Sequence, residues 1–257
     1  LQPWRNRPTG QLQVSMHPEK GLPAAVADPR HALSRVIDIL AADGYHPVMA
    51  VELEFYLLDQ KPDSQGRPQP ALQSNGHRPS APQVYGVAEL EQLQPFLDDL
   101  YAACEVQGIP LRTAISEYAP GQLELTLEHR FDALQAVDEG IRYKRIVKGV
   151  ANKHGFQACF MAKPFTELAG CGMHMHVSLA DADGNNLYAS EDRTGTPLLR
   201  HSIGGMMTTL LDSLAIFCPN ANSFRRFQAN SYAPLALNWG VNNRTVSFRI
   251  PGGPAVS

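Results

Sequence analysis

The sequence is short of the features that would place it in several large classes. Its 257 residues hold no apolar run long enough to span a bilayer. The best candidate, Met206 to Phe217, is short and carries Thr208, Thr209, Asp212 and Ser213. Positive charge is not in excess: the formal net charge is -3, without the basic footprint that nucleic acid demands. Neither a membrane nor a nucleic-acid partner is expected. Cysteine is scarce, with four residues and no CxxC pair. Two disulfides are arithmetically possible, but a chain of this size does not need them. Cys104, Cys159, Cys171 and Cys218 therefore read as reduced thiols of a cytoplasmic protein. There is no internal repeat and no low-complexity domain. The opening Leu1-Gln2-Pro3-Trp4-Arg5 is neither a signal peptide nor a natural initiator, so the chain reads as a fragment.

What is present is an ordinary globular composition, 44% apolar and 18% charged, in a length that allows one large domain or two small ones. Residues 1–27 read as an entry segment with a short strand near Gln11–Val14. Asp28-Pro29 caps a helix that Gly44 closes. Val48–Leu58 alternates as a strand, and Asp59–Gln83 is a long loop rich in Pro, Gln, Ser and Gly. Further helices are predicted over Val87–Gln107, Phe131–His154 and Pro197–Phe217. Further strands are predicted near Arg112–Ser116, Gln122–Glu128, Phe156–Ala162, Gly172–Leu179 and Thr245–Ile250. This order of elements points to an α+β fold with a curved, mostly antiparallel sheet backed by helices.

Strand periodicity isolates the polar groups of interest. In Val48–Leu58 one face carries Met49, Val51, Leu53, Phe55 and Leu57, and the other carries Glu52, Glu54 and Tyr56. Two carboxylates thus point the same way, about 7 Å apart. They fit either a solvated strand face or a cation site, and Tyr56 and Leu58 argue that the face is partly covered. After the Pro120-Gly121 turn, Gln122, Glu124, Thr126 and Glu128 share a face, and Glu117 can approach Glu124 across that turn. A polar outer face is the plain alternative. His174, His176 and Ser178 share one face of the Gly172–Leu179 strand, as two ordinary histidines or as metal ligands. Arg225-Arg226, Arg244 and Arg249 suit phosphate and carboxylate recognition, or simple surface charge. Asp181-Ala182-Asp183-Gly184-Asn185 starts like a calcium loop, but its glycine stands at position four and Asp192 at position twelve, so it reads as a hairpin turn.

Taken in order, Val51-Glu52-Leu53-Glu54-Phe55, Glu117 through Glu124, Lys163-Pro164, Gly170 through Leu179, and Asn243-Arg244 through Pro251 resemble the catalytic domain of the glutamine synthetase family. The resemblance extends over nearly the whole chain. It implies an ATP-dependent ligase in which ATP phosphorylates the γ-carboxylate of glutamate and an amine displaces the phosphate. It implies a strand funnel, the family's catalytic barrel, holding two or more magnesium or manganese ions. One ion would take Glu54, Glu117 and Glu124. The other would take Glu52, His174 and a later glutamate several residues past Ser257. Arg226 would hold the glutamate α-carboxylate, with Gly170 presenting backbone to the same substrate. Arg244 would stabilise the transferring phosphoryl group. Arg249 and His176 would lie near the phosphates, and Ser178 near the nucleotide. The family also has an N-terminal β-grasp domain and assembles into rings, dodecameric by resemblance. Residues 1–257 would then be a partial catalytic domain, without that N-terminal domain or a C-terminal segment.

Two departures bear on the amine. Ungapped alignment puts Tyr232 where ammonia-using members carry a flap glutamate, and Ala169 replaces a typical asparagine. With the Ser231-Tyr232-Ala233-Pro234 and Asn238-Trp239-Gly240 stretches, this looks more like the γ-glutamyl-polyamine (γ-glutamylputrescine) or γ-glutamyl-amine ligases. Tyr232 would pack against the body of a larger amine, or pack its loop against Trp239. An ammonia-using glutamine synthetase, an inactive structural or binding relative, and a guanidino kinase are the competing readings.

Overall fold

The structure, a computed structural model, describes residues 1–252; the last residues of the expected domain, 253–257, lie outside them. The Asp28 carboxylate accepts from the backbone N–H groups of Arg30 (2.9 Å) and His31 (3.1 Å), which starts helix α1 (Pro29–Ala42) as its cap predicts. Strand β1 (His46–Asp59) follows and is the spine of the fold. Helices α2 (Val87–Glu91) and α3 (Gln94–Val106) lead to the antiparallel pair β2 (Leu111–Ser116) and β3 (Gln122–Leu127). Gly121, at φ +75°, supplies the left-handed residue of the turn between them. Helix α4 (Ala133–Lys153) precedes β4 (Phe156–Cys159) and β5 (Met173–Ala180). Helices α5 (Pro197–Thr209), α6 (Leu214–Phe217) and α7 (Ala221–Phe224) then lead to β6 (Trp239–Val241) and β7 (Phe248–Ile250), a two-stranded parallel pair.

β1 is long enough to serve three partners. One edge pairs with β3, from Glu52 opposite Thr126 to Tyr56 opposite Gln122. The other edge pairs first with β5, from His46 opposite Ala180 to Leu53 opposite Met173, and then with β4. With β2 beyond β3, this is a five-stranded antiparallel sheet, and its strand order closes no ring among the described residues. The apolar face of β1 packs with Leu123 and Leu125 of β3 under α3 and α4, where Leu100, Ile146 and Val147 are buried. The opposite face carries Glu52, Glu54, Gln122 and Glu124. Near the end of β1 this polar face is covered by a smaller cluster of Tyr56, Leu58, Ala119 and Cys171, flanked by Phe165 and Leu168. All four cysteines are free.

Several predicted boundaries shift for local reasons. The helix expected over Val87–Gln107 breaks between Glu91 and Gln94, because Pro95 has no N–H to continue it and its ring clashes with the carbonyl four residues back. The helix expected over Pro197–Phe217 also divides. Thr208, Thr209 and Ser213 each donate a hydroxyl to the carbonyl four residues earlier, which weakens the helix where α5 ends. No strand forms near Gln11–Val14, where Leu12 and Val14 are exposed. The expected Thr245–Ile250 strand shortens to Phe248–Ile250, since the Asn243 side chain accepts from the Thr245 N–H (2.9 Å) and makes a turn. β6 was not anticipated: three residues are too few for an alternation to register.

Candidate metal and substrate site

Register does most of the assembly. Glu54 stands directly opposite Glu124 on β3, and Glu52 directly opposite His174 on β5. Opposed residues share a face with Cβ atoms about 5 Å apart, so four titratable groups from three strands meet on one side of the sheet. Glu117 joins from the start of the β2–β3 turn, where its N–H donates to the Gln122 carbonyl (2.9 Å). Glu52, Glu124 and His174 each offer a ligand atom, and these atoms lie within 4.8 Å of one another. This trio takes Glu52 and His174 from one expected ligand set and Glu124 from the other. Glu54 stands apart from it, with Oε2 accepting from Gln122 Nε2 (3.0 Å) and the Gly172 N–H (2.8 Å). Glu117 is also outside the trio, although it adds to the field on Glu124.

The electrostatics are those of a site short of positive charge. Burial, followed by the charges of Glu52, Glu54 and Glu117, pushes Glu124 up to about 8. Burial and then Glu54 push Glu117 up to about 7, while Arg244 pulls the other way. Glu52 is held well below the usual carboxylate range by its contacts with His174 and then His176, and His174 is raised in turn by Glu52. His174 Nδ1 lies 3.3 Å from Glu52 Oε2, and His176 Nε2 lies 2.9 Å from Glu52 Oε1. Burying several carboxylates against two imidazoles leaves negative charge uncompensated, and a divalent cation is the usual remedy. Two carboxylates and one imidazole nitrogen, with the Glu54 and Glu117 carboxylates on the same side, match the hard-cation preference of magnesium or manganese.

A second group adjoins the first. A Cβ at Gly170 would come within 2.6 Å of the Ala162 carbonyl and 3.0 Å of Arg226, so only glycine lets the arginine close over this loop. The Gly170 carbonyl accepts from Gln122 Nε2 (3.1 Å), and that single amide therefore bridges the loop and Glu54. Arg226 is half-buried, whereas Arg244 and Arg249 are exposed, on the turn before β7 and within β7. None of these three arginines makes an ion pair among the described residues. Ser178, half-buried, lies two residues beyond His176 on β5, opposite Val48.

Tyr232 is exposed, and the ring it meets is that of Tyr118, with centroids 5.2 Å apart at 44°. Its backbone is left-handed, as is that of Asn230 (φ +56° and +62°); asparagine tolerates this region, whereas at a tyrosine it costs about 1–2 kcal/mol. The Ser231 hydroxyl holds the turn by contacts to the carbonyls of Arg226 (2.9 Å) and Gln228 (2.6 Å).

Sequence reasoning did not single out Gln122, Asn222 or Tyr118. Gln122 is 2% exposed, and an amide on the covered face of a strand was the available signal. Asn222 grips Lys163 at both backbone atoms, accepting from its N–H and donating to its carbonyl, each at 2.8 Å. The Lys163 ammonium in turn donates to the Leu168 carbonyl, bracing the loop that carries Gly170. Those contacts span 59 residues and leave no periodic trace.

A carboxylate-rich sheet face with a histidine, beside a glycine loop closed by an arginine, has the donor set to hold a divalent cation next to a guanidinium suited to an anion. Residues 26–257 match the model of the glutamine synthetase catalytic domain, and the chain belongs to that family. It is 41% identical to the gamma-glutamylputrescine synthetase PuuA of Escherichia coli (strain K12), over 95% of this chain and 52% of that protein. It is 32% identical to a glutamate–isopropylamine ligase of a Pseudomonas species, over 97% of this chain and 54% of that protein. Among solved structures it resembles GmaS without ligand, with a TM-score of 0.76 and 30% identity, covering 89% of this chain and 52% of that one. The chain thus spans about half the length of the curated relatives it matches.

Proposed function

We propose that the full-length protein carrying this chain is an ATP-dependent ligase that joins the γ-carboxylate of glutamate to an organic amine, a polyamine or monoamine, through a γ-glutamyl phosphate. One observation carries the reading. The Gly170 loop, closed by Arg226, is tied through Gln122 and Glu54 to the sheet face that carries the Glu52–Glu124–His174 cluster. The relatives named for putrescine and isopropylamine support the choice of reaction.

Two or more divalent cations, magnesium or manganese, held by Glu54, Glu117 and Glu124 and by Glu52, His174 and a further carboxylate, would neutralise phosphate oxygens during transfer. The chain's own groups do the positioning. The Arg226 guanidinium pairs with the glutamate α-carboxylate, and Gly170 offers backbone atoms to the same molecule. Arg244 stands on the Glu117 side, suited to the charge that spreads over the transferring phosphoryl group. Arg249, His176 and Ser178 serve the nucleotide side. In the second step the amine nitrogen bonds to the γ-carbonyl carbon as the carbon–oxygen bond to phosphate breaks. Phosphate leaves with the electron pair, and the nitrogen sheds a proton. Tyr232 brings no negative charge where an ammonium site would use a carboxylate, which favours organic amines over ammonia.

By the same family reading, the open sheet is part of the catalytic barrel. The full-length protein adds an N-terminal β-grasp domain and a C-terminal segment, and it works in the cytoplasm as a ring-shaped homo-oligomer, a dodecamer. The test is phosphate release from ATP and glutamate by the full-length protein across ammonium, monoamines, putrescine and longer polyamines. An organic amine is expected to give the highest kcat/KM. Ammonium as the best substrate would refute the amine assignment.

A further inference from the structure

We infer that Tyr118 and Tyr232 together form an aromatic wall that selects amines carrying an alkyl chain, so that Tyr118 is a specificity-determining residue of the amine step. The inference rests on the ligase reading above and deepens it. Its ground is a juxtaposition that no strand pattern brings about. Tyr118 follows Glu117 directly, at the start of the β2–β3 turn, while Tyr232 lies more than a hundred residues later, in the loop after α7.

Their rings nevertheless meet, 5.2 Å apart and tilted by 44°. Both are about half exposed, 47% and 56%, although an aromatic pair that only packed a loop would gain by burying these faces. The loop that carries Tyr232 has an unusual backbone at that residue. Tyr232 and Asn230 are both left-handed, and the Ser231 hydroxyl pins the turn to the carbonyls of Arg226 and Gln228. Backbone strain of this kind persists only where the surroundings fix it, and it collects around ligand sites.

Placement supplies the chemistry. At one end of the short loop, Arg226 closes on Gly170, where the α-carboxylate end of glutamate is held. At the other, Tyr232 reaches the Tyr118 ring beside Glu117. An amine approaching the activated γ-carbon from the Glu117 side therefore passes the two rings. A tyrosine ring is an uncharged phenol near pH 7, since its hydroxyl ordinarily titrates at about 10. Neutral rings offer apolar area to a methylene chain and a negative face to the distal ammonium of a diamine. Ammonia has neither feature and gains nothing from the wall.

The test uses the full-length protein and reads the ratio of kcat/KM for putrescine to kcat/KM for ammonium. In Tyr118→Ala this ratio should fall about tenfold, the upper range of an aromatic contact. Tyr118→Phe, which keeps the ring, should restore most of it. Tyr232→Ala should lower the ratio similarly, and the double variant should lower it by less than the product of the two. Thermal midpoints recorded on the same samples show whether each variant is folded. A ratio that stays put while both amines slow in parallel would mean the tyrosines only pack the loop, and the inference would be wrong although the ligase reading stands. A wild-type protein that releases no phosphate with any amine would overturn both.

Discussion

The two faces of β1 follow opposite rules on the same fourteen residues of backbone. On one face Val51, Leu53, Phe55 and Leu57 are closed off by α3 and α4, and every contact lowers the free energy of the fold. On the other, Glu52 and Glu54 face Glu124 and Glu117 in a partly covered site whose charges repel. The first face stabilises the molecule whatever the solution contains. The second destabilises it until positive charge arrives. A strand that alternates side chains at every residue can thus keep a rigid core within a few ångströms of a site that is poised to bind.

The largest effect should come from breaking the apolar face. Phe55 is fully buried and meets Phe160 at 5.2 Å, so Phe55→Ala should cost about 3–5 kcal/mol in urea unfolding. Glu54→Gln, one residue away on the other face, should leave the metal-free stability unchanged or raise it, because it removes one of the repelling charges. Equal losses in the two variants would erase the distinction between the faces.

A subtler break targets the support of the acid face. Gln122→Leu removes the amide that holds both Glu54 and the Gly170 carbonyl. Weakening of Mn2+ binding by about 10–100-fold is expected from titration calorimetry, as for other groups that orient metal ligands. The glutamate KM should rise as well, since the same amide braces the Gly170 loop.

A further effect is a slope spread over several pH units. Glu124 and Glu117, raised to about 8 and about 7 from the ordinary carboxylate range, bind more protons folded than unfolded between these limits. Stability without metal should therefore fall as pH rises from about 5 to 8, and raised His174 adds in the same direction above its ordinary value. Glu52, whose value is lowered, contributes stability that is lost only below the ordinary carboxylate range. His129, lowered by burial, opposes the trend below about 6.5. Thermal midpoints in a chelator across this range would reveal the slope, and a rise toward pH 8 would contradict it.

The alternation of β1 and β3 was legible residue by residue, because two periodic strands in register must put Glu52, Glu54 and Glu124 on one side. The caps at Asp28 and Pro29 were legible for the same local reason. What escaped depends on contacts between distant segments. Alternation alone does not say which histidine stands opposite Glu52, since the β1–β5 register spans more than a hundred residues; the family resemblance paired Glu52 with His174, and the register puts the two opposite each other. Nor does alternation say that Gln122 reaches Gly170, or that Tyr232 meets Tyr118 rather than Trp239. The burial of β5 is also not set by its own pattern. Met173, Met175 and Val177 share an apolar side, but they are 58%, 48% and 47% exposed, because α3 and α4 cover β1 and β3 instead.

The central claim is that the acid face of β1 is a cation site, and Mn2+-induced stabilisation tests it most directly. The thermal midpoint of the full-length protein would be followed against Mn2+ concentration at pH 6 and pH 8, for wild type and Glu124→Gln. Wild type should be stabilised by Mn2+, and more strongly at pH 8, where Glu117 and Glu124 hold fewer protons against the metal than at pH 6. Glu124→Gln should lose most of that shift. A midpoint indifferent to Mn2+, or a shift of equal size in the variant, would contradict the account.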